Sequence, residues 1–88
     1  MKLPKLTLRQ LHIFVAIADQ GSTTAASEAI ALSQSAVSAA LHELERLMDT
    51  QLFDRVGKRL VLNESGRILL QHARPILDLA EQIDAAMD

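Results

Sequence analysis

Small polar and weakly basic side chains share one face of the helix predicted over residues 34–48. That face carries Ser35, Ser38, Ala39, His42 and Arg46, and apolar residues fill the opposite side. Gln34 begins the same helix, and its amide offers the donor and the acceptor that the major-groove edge of adenine requires. The serines are short enough to let a helix approach a base edge. The candidate base contacts are Gln34, Ser35, Ser38, Ala39 and His42.

A second group of residues has the chemistry to bind phosphate. Basic residues surround Gly57, and hydroxyl residues stand where predicted helices begin, next to free N–H groups that attract anions. The candidate phosphate contacts are Arg9, Ser22, Thr23, Thr24, Ser33, Arg55, Lys58 and Arg59. Each has an alternative role: the hydroxyls as helix caps only, the cations near Gly57 in a solvated turn, and Arg9 on an ordinary surface. Arg55 has the further alternative of pairing with Asp54 or with a carboxylate of the last helix.

Residues for covalent catalysis or metal binding do not occur in any usable arrangement. The chain has no cysteine, so disulfides and cysteine-based zinc sites are excluded. His12, His42 and His72 are 30 residues apart, which is not a metal-ligand spacing within one element. No Ser/His/Asp set, glycine-rich phosphate loop or pair of catalytic carboxylates is present. We therefore expect neither an enzyme nor a bound metal or cofactor.

Capping and turn residues divide most of the chain into three helices and a hairpin. Thr7 and Gln10 have capping-box spacing, and Gly21 is a natural helix stop. Hydroxyl residues after Gly21 can cap a second helix, and Ser33 can cap a third. Apolar residues on both sides of Gly57 predict a β-hairpin with a basic tip. The predicted helices cover about residues 8–20, 24–31 and 34–48, and the hairpin covers 52–62.

The last predicted helix, which Asn63 can cap, has a heptad pattern of apolar residues. Leu70 and Leu77 form a stripe beside that pattern, and one stripe is expected to pack on the domain while the other packs on a second chain. The predicted dimer interface comprises Leu69, Ala73, Ile76, Leu77, Ala80, Ile83 and Met87. Pro75 should kink this helix or lie where a lost hydrogen bond is tolerated.

The second and third predicted helices have the pattern of a helix-turn-helix. Both are short, their connection is tight, and the second has a polar front. Apolar residues stand where the two helices would cross, namely Ala26, Ile30, Leu32, Val37 and Ala40. Ser27 and Ala31 are small enough for close approach. An ordinary helical hairpin is the alternative.

Motifs along the whole chain resemble the N-terminal domain of LysR-type transcriptional regulators. They are Leu8–Phe14, Ser22–Ser27, Leu32–Ser38, Leu44–Glu45, Leu52–Arg55 and Leu62–Gly66. The resemblance implies a mainly α fold. A winged helix-turn-helix (a three-helix core plus a β-hairpin wing) would occupy residues 1–62, and a long linker and dimerisation helix would occupy residues 63–88.

The resemblance also implies function. We expect a bacterial, cytoplasmic module that binds double-stranded DNA sequence-specifically, with its third helix in the major groove and its wing on the backbone or minor groove. A homodimer would bind an inverted repeat. A tetramer and a small-molecule effector would belong to the full-length regulator, whose ligand-sensing domain is expected to be absent here. Ala25 and Ala39 stand where the family often has basic residues, and Ser35 where it often has proline. These departures put the base readout in doubt and predict weaker phosphate affinity, for which His42 and Arg46 could compensate.

The charge of the chain is unevenly distributed. The net charge is −2, but residues 1–18 carry +3 and residues 50–67 carry +2, so the acids are concentrated elsewhere. The longest apolar run has six residues, far short of a membrane span. The rival hypothesis is a helical protein–protein module that dimerises through the last helix and binds no nucleic acid. The acidic total favours this rival, whereas the wing and the hydroxyl-rich helix front disfavour it.

Overall fold

The computed structural model describes residues 1–88 as four helices and a two-stranded antiparallel sheet. The helices are α1 (Leu8–Gln20), α2 (Thr23–Ile30), α3 (Gln34–Met48) and α4 (Glu64–Met87), and the strands are β1 (Phe53–Val56) and β2 (Arg59–Leu62). The mainly α winged-helix architecture predicted from the sequence is confirmed. No helix combines the length and apolarity that crossing a membrane would need.

The predicted caps form the helix boundaries. Thr7 and Gln10 exchange side-chain hydrogen bonds to each other's backbone N–H, at 3.1 and 2.8 Å, which is the expected capping box. Gly21 ends α1 in the left-handed region with φ 82°. Ser33 accepts from the Ala36 N–H at 3.1 Å, and Asn63 accepts from the Gly66 N–H at 2.8 Å. These local hydrogen bonds explain why the observed helix starts agree closely with those predicted from the sequence.

The core is built around α1, which crosses the other helices. Phe14 and Ile17 are fully buried and pack with Val37 and Leu44 on the inner side of α3. Phe53 brings β1 into the same core, with its ring centroid 5.5 Å from that of Phe14. The apolar back of α3 is thereby fixed inward, so its polar front must face solvent.

The hairpin is attached to the rest of the domain at both ends. The Leu60 N–H donates to the Gly21 carbonyl at 2.8 Å, which ties β2 to the α1–α2 turn. The Asn63 N–H donates to the Leu52 carbonyl at 3.1 Å. Gly66 packs so tightly on this connection that a Cβ there would lie 2.1 Å from the Leu52 carbonyl oxygen. The wing is therefore held in a fixed position relative to α2 and α4.

The prediction that all seven residues of the dimer interface on α4 face a second chain needs correction. Ala73 is fully buried in the core of its own chain. Leu69 and Leu77 are half-buried and pack against the same core, and Ala80 is also half-buried. Ala73, Leu69 and Leu77 thus lie on the face of α4 that packs on its own core, so the core-facing stripe and the predicted dimer interface overlap. Pro75 lies on an exposed part of a helix that continues through it.

An apolar stripe on the neighbouring face of α4 has no partner within the chain. The exposed residues of this stripe are Ile68, Ile76, Leu79, Ile83 and Met87. Ile76, Ile83 and Met87 belong to the predicted dimer interface, while Ile68 and Leu79 do not. The face available to a partner is therefore rotated around the helix from the one that the heptad spacing indicated.

Candidate nucleic-acid interface

The polar front of α3 faces solvent as predicted. Gln34, Ser35, Ala39 and His42 are exposed, and Ser38 is half-buried. Behind them Val37, Leu41 and Leu44 are buried. The front is also close to the first turn of the helix, where unpaired N–H groups and the helix dipole add positive potential. A small, hydrogen-bonding surface at a helix start is suited to approach a base edge and the adjacent phosphate.

The turn between α2 and α3 sets the position of both helices. Ala31 adopts the left-handed conformation with φ 58°, and the Leu32 N–H donates to the Ser27 carbonyl at 3.0 Å. Ser27 is itself buried, and its hydroxyl donates to the Thr24 carbonyl at 2.7 Å. Ala26 is fully buried beneath the turn. Ser27 thus occupies the helix crossing as expected, whereas Ala31 is exposed in the turn. The helix-turn-helix prediction is confirmed.

The hydroxyl residues at the helix starts divide into caps and available groups. Ser22 is the N-cap of α2 and accepts from the Ala25 N–H at 3.0 Å. Ser33 caps α3, and its hydroxyl lies 3.2 Å from that of Ser35. Thr24 is exposed. Ser22 and Ser33 therefore serve as caps, and any contact they make with a partner is additional to that role.

Thr23 and Gln34 connect the two helix starts directly. The Gln34 amide Nε2 donates to the Thr23 Oγ1 at 3.5 Å. The same two residues line a polar groove of about 500 Å³ together with Ser38, His42 and Arg55. The start of α2, the front of α3 and the base of the wing thus enclose one surface.

The wing carries cations that have no partner in the chain. Arg55 and Lys58 are exposed, and neither belongs to the two ion pairs of the structure. The alternative in which Arg55 pairs with Asp54 or a helix carboxylate is therefore not realised. Arg59 differs from these two cations because its guanidinium packs on the α1–α2 turn. Its Nη2 lies 2.9 Å from the position that an added Cβ would take at Gly21.

Arg46, which could compensate for the missing basic residues, forms an ion pair within its own helix. Its guanidinium Nε donates to Glu43 at 3.0 Å, so its charge is neutralised locally. The hydrogen bond from Arg46 lowers the pKa of the Glu43 carboxyl, and the same bond raises the pKa of Arg46. Arg9 is better placed, because it is exposed and lines a shallow hollow beside Ala39. The structure thus brings a cation from α1 to the part of α3 that lacks one.

Three supporting contacts were not found by sequence reasoning. Glu45, interpreted as part of a solvated helix edge, accepts from the Leu52 N–H at 2.8 Å and so fixes the entry to the wing. Arg74 of α4 donates to Asp19 of α1 at 2.7 Å. The Thr23–Gln34 bond is the third. No spacing rule marks such pairs, because their members are 7 to 55 residues apart and meet only in the folded chain.

Comparisons with known proteins agree with this geometry. The family model for "Bacterial regulatory helix-turn-helix protein, lysR family" matches residues 8–67, from the start of α1 into the first turn of α4. The HTH-type transcriptional regulator YeiE of Escherichia coli K12, itself named as uncharacterized, is 57% identical over 79 residues, which are 90% of this chain and 27% of that protein. The chain thus spans about a quarter of the length of this relative.

The similar solved structures include complexes with DNA. The crystal structure of BenM_DBD with catB site 1 DNA has a TM-score of 0.87 at 26% identity, covering 93% of this chain and 91% of that one. The CbnR_DBD–DNA complex has a TM-score of 0.86 at 29% identity, covering 93% and 94%. The family and the relatives are transcriptional regulators and not enzymes, as the sequence predicts. This chain belongs to the LysR family of bacterial helix-turn-helix regulators.

Proposed function

We propose that this chain is a DNA-binding domain that recognises a specific sequence in double-stranded DNA. In this proposal α3 enters the major groove, the start of α2 contacts phosphates, and the wing lies on the backbone or minor groove. The observation that carries it is the single surface formed by Gln34, Ser38, His42 and the unpaired wing cation Arg55. Base-reading and phosphate-binding groups face the same groove there. The DNA complexes of the similar structures support the proposal.

The net charge of −2 is compatible with this function because of how the charge is placed. Arg55 and Lys58 are unpaired on the wing, and Arg9 lies beside α3. The acids of α3 lie beyond its first turn, where Glu43 is neutralised by Arg46 and Glu45 holds the Leu52 N–H. We therefore expect weak nonspecific affinity and a dependence on base contacts and on pairing of two domains.

We further propose that two copies pair through the exposed stripe of α4. Ile76, Leu79 and Ile83 lie on one helix face at spacings of 3 and 4, which is the geometry of helix-to-helix packing. A two-fold dimer places two α3 helices on half-sites about one helical turn apart or a multiple of it. The target is accordingly an inverted repeat.

Binding to matched and altered duplexes tests the proposal. Gln34→Ala should lower the preference for the preferred duplex over single-base variants by about 1–3 kcal/mol, because one good base contact is lost. Gln71→Ala is the matched control, since it removes the same amide from an exposed site on α4. Fluorescence anisotropy on the duplex series measures both. Equal loss on all duplexes, random DNA included, would show that Gln34 does not read a base.

A further inference from the structure

The Thr23–Gln34 hydrogen bond restricts what the Gln34 amide can recognise. A glutamine amide has two N–H donors and one carbonyl acceptor. Here one N–H is directed at the Thr23 Oγ1 across the helix-turn-helix, at 3.5 Å. Gln34 is exposed and lines the polar groove, while Thr23 is half-buried at the first residue of α2. The amide therefore has one N–H and its carbonyl oxygen left for a partner.

The remaining groups match adenine and not guanine. Adenine presents an acceptor, N7, and a donor, the N6 amino group, in the major groove. Guanine presents two acceptors, N7 and O6, and would need both N–H groups of the amide. With one N–H held by Thr23, Gln34 can complete both bonds to adenine but only one to guanine. We propose that Thr23 is a positioning residue that sets Gln34 to recognise adenine, an inference that rests on the proposed DNA-binding function.

The attachment of Thr23 suits this role. A threonine side chain in a helix is restricted to two main χ1 rotamers, so its hydroxyl oxygen has only two main directions. Ser22 fixes the start of α2 through its capping bond, and the buried Ser27 holds the following turn. Without this bond, the long side chain of Gln34 would rotate freely. The Thr23 hydroxyl oxygen is the acceptor that orients its amide.

A contact between Thr23 and a phosphate is the competing role for the same hydroxyl. The two roles differ in what is lost when the hydroxyl is removed. Loss of a phosphate contact weakens binding to every sequence alike and reduces the salt dependence. Loss of positioning changes the preference at one base pair only. The readout must therefore be the adenine-to-guanine affinity ratio and not the affinity itself.

The experiment compares four proteins on duplexes that differ only at the position where Gln34→Ala loses discrimination. The wild type should prefer adenine over guanine by on the order of tenfold, the range of a good bidentate contact. Thr23→Val keeps the shape but removes the hydroxyl, and should reduce that ratio to about threefold or less. Thr23→Ser keeps the hydroxyl without the β-branch that restricts χ1, and should restore most of the ratio. Circular dichroism confirms that all variants are folded.

The outcomes separate the inference from the function on which it rests. An unchanged adenine-to-guanine ratio in Thr23→Val, with Gln34→Ala still losing discrimination, overturns the positioning role and leaves the base contact intact. A wild type that prefers guanine overturns it too, because both N–H groups would then be free. If Gln34→Ala loses discrimination at no position, the assignment of Gln34 to a base and the inference both fail.

Discussion

Gly66 is the position where one added methyl group should do the most damage to the fold. A Cβ there would lie 2.1 Å from the Leu52 carbonyl oxygen, whereas real Cβ contacts stay beyond 3.0 Å, so α4 or the Leu52 peptide must move by about 0.9 Å. Overpacking of this kind costs about 1–3 kcal/mol, and weakening the Asn63-to-Leu52 bond adds about 0.5–1.5 kcal/mol. Alanine has a higher helix propensity than glycine, and this difference offsets the loss by about 1 kcal/mol. We expect Gly66→Ala to lower the free energy of unfolding by about 0.5–3.5 kcal/mol.

Urea unfolding followed by circular dichroism measures this change, at one fixed protein concentration because the proposed dimer would also contribute to stability. Gly57→Ala is the matched control. Gly57 also has a constrained backbone, with φ 62° in the left-handed region. A Cβ added there would have no atom within 4 Å. Its cost is therefore limited to left-handed strain of roughly 1–2 kcal/mol. A Gly66→Ala protein as stable as the wild type would refute the argument that α4 docks through this close contact.

Three other predictions follow from the charges and the exposed stripe. Ile83→Asp should shift the chain from dimer to monomer in analytical ultracentrifugation, because a carboxylate would be buried in the pairing face, while Gln71→Asp on another face should leave the dimer intact. Lys58→Ala should reduce the slope of log affinity against log salt by about 0.9 for each phosphate contact removed, and an unchanged slope would place Lys58 off the DNA. By carbon NMR, Glu43 should titrate below its ordinary pKa of 4.5, and Arg46→Gln should raise its midpoint. Since the pKa is lowered in the folded state, the small stabilisation from this pair is present at neutral pH and is lost as the pH falls through that midpoint.

Much of this fold is predictable because the signals are local. The bonds of Thr7, Ser33 and Asn63 connect residues three positions apart, so the helix starts follow from the sequence alone. The polar front of α3 is predictable for a related reason: helical spacing separates it from the apolar back, and only the back can be buried.

The face of α4 that is left free for a partner was not predictable in the same way. Two apolar stripes lie side by side on this helix, and spacing does not say which one docks on its own domain. Tertiary packing against α1 decides it by burying Ala73, which moves the available face to the side of Leu79. The same limit applies at the candidate site. Thr23 was expected to contact phosphate, and its bond to Gln34 emerges only when the turn brings α2 and α3 together.

Selection of binding sites from a random pool of duplex DNA tests the central claim most directly. The account predicts an enriched interrupted inverted repeat, with half-site centres about one helical turn apart or a multiple of it. Binding to the recovered sequence should fall steeply with salt. Recovery of no common sequence, or an affinity that does not change with salt, would contradict the claim that α3 and the wing bind DNA.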